Sequence, residues 1–195
     1  MAPLFLVITG PSGVGKDTLV RALRRRLGPR AHVAVTATTR PPRRGEKDGV
    51  HYYFLSPDAF QEMVDRGELL ENAYVYGHRY GVPKAPLRDA LAQDKDVIVR
   101  TDVQGARFIK KRYPQVVTIF LLPPSWEELA RRLKGRGSED PHQLALRLET
   151  ARLEVAKARE FDYQVVNDRL ERAVEEVLAI MNRERKKAGR GAVTL

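Results

Sequence analysis

The sequence predicts an α/β fold with a parallel-sheet core, a small and mostly β insert, and a helical lid. We predict the core because short apolar runs alternate with amphipathic helical segments, which is typical of a parallel sheet with right-handed crossovers. Two segments break this alternation: residues 36–84 are mostly β in pattern, and residues 127–157 are mostly charged helix. We therefore expect one domain of 195 residues, with that insert and lid and with a core at 1–35, 85–126 and 158–195.

Composition narrows the classes of protein that this chain can belong to. It has no cysteine, which excludes disulfides, thiolate metal sites and cysteine nucleophiles. No apolar run reaches membrane-spanning length and no signal peptide is evident, so we expect a cytoplasmic protein without a membrane partner. The net charge is +10, but no motif pairs this charge with interleaved aromatic residues, so we expect no nucleic-acid partner.

The first strand, an apolar run from Leu4 to Ile8, leads directly into a phosphate-binding loop, so the core is predicted to be a P-loop core. A strand followed by G-x-x-x-x-G-K and a helix binds phosphate, because the glycines of the loop let successive backbone N–H groups point at an anion. Lys16 would reach the β- and γ-phosphates of a nucleotide. The loop and the start of the helix comprise Gly10, Pro11, Ser12, Gly13, Val14, Gly15, Lys16, Asp17 and Thr18.

Position 17 departs from the usual pattern of this loop. A Ser or Thr normally follows the lysine and holds Mg²⁺, but here Asp17 follows it and the hydroxyl comes one residue later, at Thr18. We hypothesise that Thr18, or a water molecule held by Asp17, contacts Mg²⁺ instead.

The remaining elements follow from apolar periodicity and from helix start and stop residues. A helix is predicted from Lys16 to Leu27, where Gly28 and Pro29 end it. The predicted order after it is strand 32–36, loop 38–49, helix 57–66, strands 69–76 and 79–80, helix 85–93, strand 96–101, helix 103–111, strand 116–122, helices from 125 and over 141–159, strand 163–166, and a final helix capped by Asp168.

A second candidate anion site lies in the loop after residue 36. Arg40 and Arg43 are three residues apart in a loop stiffened by prolines, and two guanidinium groups so placed can bind one phosphate bidentately. Tyrosine hydroxyls can complete such a site. The alternative is a solvated basic loop, which is less favoured beside a phosphate-binding loop.

These motifs, with several others in the same order and spacing, resemble the guanylate kinase family over nearly the whole chain. The matching blocks are residues 10–16, Thr38 to Pro41 with Arg43, Gly45-Glu46, Gly49, Tyr52, Leu70-Glu71, Tyr80-Gly81, residues 102–105 and 123–125, Arg132-Leu133, residues 135–137, Arg147-Leu148, and residues 166–168.

The resemblance implies an enzyme that uses ATP and Mg²⁺ to phosphorylate GMP, and also dGMP, as a monomer or homodimer. It implies residue roles by matching position. ATP would be bound by residues 10–18 with Arg132 and Arg136. The GMP phosphate would be bound by Arg40, Arg43, Tyr52 and Tyr80. Guanine would be bound by Thr36, Glu71 and Asp102, and Val82 would also contact the base. Phosphoryl transfer would be assisted by Lys16, Arg43, Arg136 and Arg147.

The chemistry of two carboxylates agrees with a guanine site. Guanine presents N1–H and its exocyclic amine as neighbouring donors, which suit acceptors such as Glu71 and Asp102. Adenine has an acceptor at N1 and would leave a buried carboxylate unpaired. Glu71 could otherwise be a surface residue of a strand, and Asp102 could simply cap the following helix. A phosphate oxygen needs no general base, and the sequence shows no evident one.

Two further positions depart from the family pattern. Arg100 stands where the family commonly has another carboxylate, and we predict that it pairs with Asp17 in an exchange of charge. Val82 stands where a Ser or Thr is usual, so we expect a modest rise in the KM for GMP and a retained preference over AMP.

Two other functions are compatible with parts of this pattern. A related kinase of ribose bisphosphate would not need a base-reading set, so Glu71 argues against it. A non-catalytic module that binds phosphopeptides through the old phosphate site is favoured only by Asp17 and Arg100. The intact Lys16 and the arginines of the predicted lid oppose it.

Overall fold

The structure, a computed structural model, describes residues 3–75, 77–134, 141–187, 191 and 193–195. Its strands are β1 (Phe5–Thr9), β2 (Ala31–Val33), β3 (Thr36–Thr38), β4 (Tyr52–Phe54), β5 (Leu69–Val75), β6 (His78–Pro83), β7 (Asp96–Arg100), β8 (Val117–Leu122) and β9 (Tyr163–Val166). Its α-helices are α1 (Lys16–Leu27), α2 (Pro57–Asp65), α3 (Ala85–Ala92), α4 (Val103–Arg112), α5 (Trp126–Lys134), α6 (Pro141–Val155) and α7 (Leu170–Arg185).

Five parallel strands form the core sheet in the order β2-β7-β1-β8-β9. Every residue of β1 is buried, because helices cover both faces of the sheet. Side chains alternate between the faces, so Leu6 and Ile8 pack in the cluster that contains α1 and α7. Phe5 and Val7 pack on the other face with residues of α3 and α4.

The second sheet has four strands in the order β4-β3-β6-β5. Strand β3 is parallel to β4 and antiparallel to β6, and β6 is antiparallel to β5. Helix α2 begins after Ser56, whose hydroxyl accepts a hydrogen bond from the N–H of Ala59, and it buries Phe60 against Ala37 and Leu69 of this sheet. The second sheet therefore has a small apolar core of its own.

Helices α5 and α6 pack together in the region predicted to be the lid. Leu129 and Leu133 of α5 and Ala151 of α6 are buried in one cluster. Ser125 begins α5, with its hydroxyl accepting from the N–H of Glu128 at 3.1 Å.

The predicted fold class is confirmed, but several element predictions are wrong: β4 was not predicted, and the strand predicted at 79–80 is the longer β6. The strand predicted at 32–36 is instead two strands that belong to two sheets. The chain makes its last hydrogen bond to the core sheet at Ala34, whose N–H donates to Ile98 O, and it begins to pair with β4 at Thr36. Helix α6 ends at Val155 rather than 159. Arg169, and not Asp168, is the N-cap of α7. No helix within the described ranges is long and apolar enough to cross a membrane.

Candidate active site

The phosphate-binding loop connects β1 to α1 at the carboxyl edge of the core sheet. Gly10, Gly13 and Gly15 have φ values of 140°, 80° and 101°, in the region that favours glycine. Gly15 is further constrained because a Cβ there would lie 2.5 Å from Nδ2 of Asn167. Helix α1 begins directly after this loop, and the backbone N–H groups at a helix N-terminus are suited to binding phosphate.

Side chains from two other elements hold the loop in shape. Asn167, which follows β9, donates from Nδ2 to Val14 O at 2.8 Å. Arg132 of α5 donates from Nη1 to Val14 O at 3.2 Å and from Nη2 to Asn167 O at 3.1 Å. Its Nε donates to Glu128 at 2.7 Å, which fixes the guanidinium. Arg132 therefore contacts the loop that it was predicted to serve.

Lys16 lies inside the loop and donates from Nζ to Gly10 O and Pro11 O. Burial lowers its pKa to about 8; Glu154 and Asp17 partly offset this effect, and Arg100 adds to it. A polyanion bound in the loop would therefore stabilise the charged form of this side chain.

A cavity of about 360 Å³ lies between the loop and the second sheet. Most of the predicted site residues surround it. Its described lining comprises Gly10, Ser12, Gly13, Gly15, Lys16, Asp17, Thr36, Tyr52, Glu71, Ala73, Tyr74, Val75, Tyr80, Arg100, Thr101, Asp102, Gln104, Thr150 and Glu154.

Glu71 lines this cavity, and the residue is 4% exposed. Its Oε1 accepts from Oγ1 of Thr101 at 3.0 Å, and its buried Oε2 has no hydrogen-bond partner within the described structure. Burial raises its pKa to about 8; the charge of Asp102 adds to this effect and the Thr101 bond opposes it. Glu71 is therefore not a surface residue, and one of its oxygens is free to accept a hydrogen bond.

Asp102 has two roles in this structure. Its Oδ1 accepts from the N–H of Gly105 at 2.7 Å, so it caps α4, and its side chain also lines the cavity. Gly105 lies close to Thr101 and Glu71, because a Cβ there would be 2.4 Å from Thr101 Oγ1 and 2.6 Å from Glu71 Oε2.

The predicted phosphate site of the second sheet is partly assembled. The Arg40 guanidinium bonds both carboxylate oxygens of Glu46, at 2.9 and 2.8 Å, and lies 5.3 Å from the centre of the Tyr52 ring. The Tyr52 and Tyr80 rings meet edge to face at 6.2 Å. Arg43 is exposed and binds Glu46 only through its backbone N–H, at 2.7 Å. Burial alone would raise the pKa of Glu46, but the hydrogen bonds from Arg43 and Arg40 hold it below its ordinary value.

Other predicted residues lie elsewhere. Thr18 is exposed on the first turn of α1 and is not among the described residues of the cavity wall. Val82 is fully buried in the apolar cluster of the core, so its side chain does not line the cavity where a base contact was predicted. Arg147 is half-buried on α6 and is not among the described residues of the cavity wall. Arg136 lies outside the described residues.

The predicted pairing of Arg100 with Asp17 is confirmed. Nη1 of Arg100, at the end of β7, donates to Oδ1 of Asp17 in the first turn of α1. The two departures from the family pattern are thus complementary charges in contact.

Sequence reasoning missed several polar residues of the cavity wall, among them Thr101, Thr150 and Glu154. Thr101 stands between two residues that were singled out, and only the structure shows that its hydroxyl reaches Glu71. Glu154 follows Thr150 by four residues on α6, so both lie on one helix face, a spacing that could have identified the pair.

Comparisons with known proteins show the family to which this chain belongs. A sequence model of the guanylate kinase family matches residues 3–184. A guanylate kinase of Mycolicibacterium paratuberculosis is 50% identical over 178 residues, which are 90% of this chain and 79% of that protein. One of Thermobifida fusca is 48% identical over 175 residues, 90% of this chain and 89% of that protein. A crystal structure of guanylate kinase from Anaplasma phagocytophilum superimposes with a TM-score of 0.81 at 32% identity, covering 97% of this chain and 89% of that one. The chain belongs to the guanylate kinase family.

Proposed function

We propose that this protein transfers the γ-phosphoryl group of ATP to GMP, and to dGMP, giving ADP and the nucleoside diphosphate. The observation that carries the proposal is one cavity whose described lining includes both the phosphate-binding loop and the buried Glu71. The loop suits a nucleoside triphosphate, and the buried acceptor suits guanine. The triphosphate and the acceptor nucleotide would then meet in the space between them.

Base recognition rests on a hydrogen bond that Glu71 can still make. Its Oε2 is buried and has no hydrogen-bond partner among the described residues, so a ligand that donates there would remove an unfavourable burial. The N1–H and amine of guanine are such donors. Adenine presents an acceptor at N1, which would leave the ionised carboxylate unpaired, so we expect strong discrimination against AMP once Glu71 is deprotonated.

Phosphoryl transfer in this site needs positioning and positive charge rather than proton abstraction. The nucleophile is an oxygen of the GMP phosphate, which is already deprotonated. Lys16, Arg100 and Arg40 lie around the path between the loop and the second sheet, and they would neutralise charge as two polyanions approach. Arg43, Arg136 and Arg147 remain proposed contributors of positive charge to the transfer.

The residues of the cavity fit a role for Mg²⁺ that depends mainly on the substrate. Mg²⁺ commonly takes one or two protein oxygens, several waters and phosphate oxygens. The described residues contain no group of three or more His, Asp or Glu that could hold a metal ion by themselves. Asp17 lines the cavity and would act through water, whereas Thr18 lies outside its described wall. When bound, the ion would neutralise charge on the β- and γ-phosphates.

The two alternative functions are not favoured. The relatives that match most of this chain are named guanylate kinases, and the buried Glu71 has no evident use in a kinase of ribose bisphosphate. A phosphopeptide-binding module would not require an intact phosphate-binding loop with Lys16 enclosed in it. Location in the cytoplasm and assembly as a monomer or homodimer stay predictions.

The test is to measure ADP release from ATP and Mg²⁺ with GMP, dGMP, AMP, UMP, CMP or ribose bisphosphate as acceptor. We expect turnover with GMP and dGMP alone. Glu71→Gln should lower kcat/KM for GMP by about 10- to 100-fold, the scale of a hydrogen bond to a charged group. Folded protein without turnover on any acceptor would contradict the proposal and favour the binding module.

A further inference from the structure

We propose that Arg100 is a positioning residue that links the ATP loop to the GMP-phosphate cradle, so that ATP and GMP strengthen each other's binding. By the GMP-phosphate cradle we mean Arg40, Arg43, Tyr52 and Tyr80. The inference rests on the function proposed above, since it assigns a coupling role within that same site.

Arg100 ties two parts of the core together beside the loop. It is the last residue of β7 and is aligned with Ile8 of β1, just before the loop begins at Gly10. Its ion pair with Asp17 connects this end of the sheet to the first turn of α1. The Arg100 side chain is only 20% exposed, so its position is restricted by its surroundings before any ligand binds.

The same guanidinium also reaches the second sheet. It lies 5.4 Å from the centre of the Tyr52 ring, within the range of a cation–π contact. Tyr52 receives the guanidinium of Arg40 at 5.3 Å as well, and its ring meets that of Tyr80. Asp17, Arg100, Tyr52 and Arg40 therefore form an unbroken series of contacts from α1 of the core to the cradle.

This series explains why ligands at its two ends should cooperate. Phosphates in the loop attract Arg100, and the phosphate of GMP binds residues that pack against the same Tyr52 ring. Either ligand therefore favours one ordered arrangement of Arg100 and Tyr52. The ligand that binds second then finds this arrangement already formed, which is a positive coupling between the sites.

The series also gives a physical reason for both departures from the family pattern. Asp17 alone would place a negative charge where phosphates bind, and Arg100 alone would add an unpaired cation to a partly enclosed wall. In contact the two charges compensate each other, and Arg100 still has Nη2 and Nε donors besides the Nη1 that bonds Asp17. Replacing either Asp17 or Arg100 alone should therefore weaken nucleotide binding more than the loss of that residue's own contacts would, because the other charge is left uncompensated.

The experiment measures the Kd of GMP by titration calorimetry, with and without a saturating non-hydrolysable ATP analogue and Mg²⁺. For the unaltered protein we expect the analogue to tighten GMP binding about fivefold or more. In Arg100→Ala this ratio should fall toward one, and GMP alone should bind about fivefold more weakly. The matched control is Arg112→Ala, which removes another arginine–tyrosine contact, 5.9 Å from the Tyr113 ring, outside the site. It should keep the ratio.

Three further variants separate coupling from simple damage. Arg100→Lys keeps a charge for Asp17 but loses the planar group over Tyr52, so its ratio should be intermediate. Asp17→Ser and the double variant Asp17→Ser/Arg100→Ala complete a cycle in which the effects on GMP affinity should not add. If Arg100→Ala does not fold, Arg100→Lys is judged by the same ratio.

The outcomes distinguish this inference from the function on which it rests. A ratio of one in the unaltered protein, or an unchanged ratio in Arg100→Ala, overturns the coupling role even while GMP is phosphorylated normally. Absence of GMP phosphorylation by the unaltered protein would contradict the proposed function instead. The ratio of the two Kd values of GMP is measured with a non-hydrolysable analogue, so it does not depend on turnover.

Discussion

Ionisation of one residue, Glu71, should favour GMP binding but lower the stability of the nucleotide-free protein. Its carboxyl group is buried, one of its oxygens has no partner, and burial together with the nearby Asp102 raises its pKa to about 8. In the nucleotide-free protein near neutral pH this group is therefore mostly protonated. Guanine needs an acceptor at this place, so binding of GMP favours the deprotonated carboxylate.

We expect GMP affinity to rise between about pH 6.5 and 8.5 and GMP binding at pH 7 to release a proton, because Glu71 must ionise to accept both donors of guanine. Titration calorimetry in two buffers of different ionisation enthalpy measures the proton directly. Glu71→Gln cannot ionise, so it should bind GMP more weakly and without this proton release. The same proton release in the variant as in the unaltered protein would contradict the assignment.

The same pKa shift predicts that the stability of the nucleotide-free protein falls as pH rises, whereas GMP affinity rises. The pKa of Glu71 in the folded state, about 8, lies above the ordinary 4.5, so the folded state binds more protons between these pH values and stability falls as pH rises through this window. Without nucleotide, Glu71→Gln should therefore raise the free energy of unfolding at pH 8.5 by about 1–3 kcal/mol, and much less at pH 4.5.

Urea unfolding at the two pH values measures this difference. The control is Glu68→Gln, a nearby exposed glutamate whose replacement should not change the pH dependence. Equal effects of Glu71→Gln at both pH values would show that ionisation of Glu71 is not responsible.

At the scale of elements, α5 supports the phosphate-binding loop from outside. Arg132 reaches Val14 O and Asn167 O and is 23% exposed, whereas its neighbour Arg131 pairs with the same Glu128 but is 74% exposed. Only one of two adjacent arginines of this helix therefore contacts the loop.

We expect Arg132→Ala to raise the KM for ATP about tenfold, because the carbonyl of Val14 loses one of the donors that hold the loop. The Kd of GMP measured without ATP should change little. Arg131→Ala is the matched control and should leave the KM for ATP unchanged. Steady-state kinetics of the two variants decide the matter: equal effects would mean that loss of charge on α5, rather than support of the loop, is responsible.

Helix α4 carries a glycine where helix propensity alone would favour alanine. Gly105→Ala should nevertheless lower the free energy of unfolding by about 1–3 kcal/mol, because the added Cβ would meet Thr101 Oγ1 at 2.4 Å and Glu71 Oε2 at 2.6 Å. It should also weaken GMP binding by displacing Glu71. Urea unfolding and calorimetry measure the two effects, and a gain of stability with unchanged GMP affinity would contradict close packing at this place.

The elements themselves were predicted well where the signal was local. Helix α1 has the predicted bounds, because its apolar face and the Gly28-Pro29 pair that ends it can both be recognised within one short segment of the sequence. The strand predicted at 32–36 was wrong because its apolar pattern runs on past Ala34, although the chain changes sheets there. Choice of sheet depends on partners that are far away in sequence, which no local pattern contains.

At the scale of the whole molecule, the sequence could name much of the site but not how it is assembled. The pairing of Asp17 with Arg100 was predictable because two departures of opposite charge suggested each other. The burial of Glu71 was not, since it depends on β5 of the insert packing against α4 of the core. The burial of Val82 in the core was missed for the same reason.

The net charge of +10 also acts on the molecule as a whole. Arg21, at the middle of α1, and Arg24 and Arg25, nearer its end remote from the loop, form no ion pair with a described acidic residue. At about 1.5 Å per residue, Arg21 lies about 8 Å and Arg25 about 14 Å beyond Lys16 along the helix axis, so these charges act on a ligand in the loop through the electrostatic field rather than by contact. That field reaches about 30 Å at 0.01 M salt and about 8 Å at 0.15 M.

We therefore expect the triple variant Arg21→Gln/Arg24→Gln/Arg25→Gln to lower kcat/KM for GMP about two- to threefold at 0.01 M salt and not measurably at 0.15 M. kcat should stay the same, because the site is untouched. For the unaltered protein, kcat/KM should fall further as salt rises, since cations of the cavity such as Lys16 are then screened too. Steady-state kinetics over a salt series measures both effects. A deficit of the triple variant that persists at 0.15 M would mean that the substitutions disturb α1 itself, because screening leaves the remote charges no other route to the site.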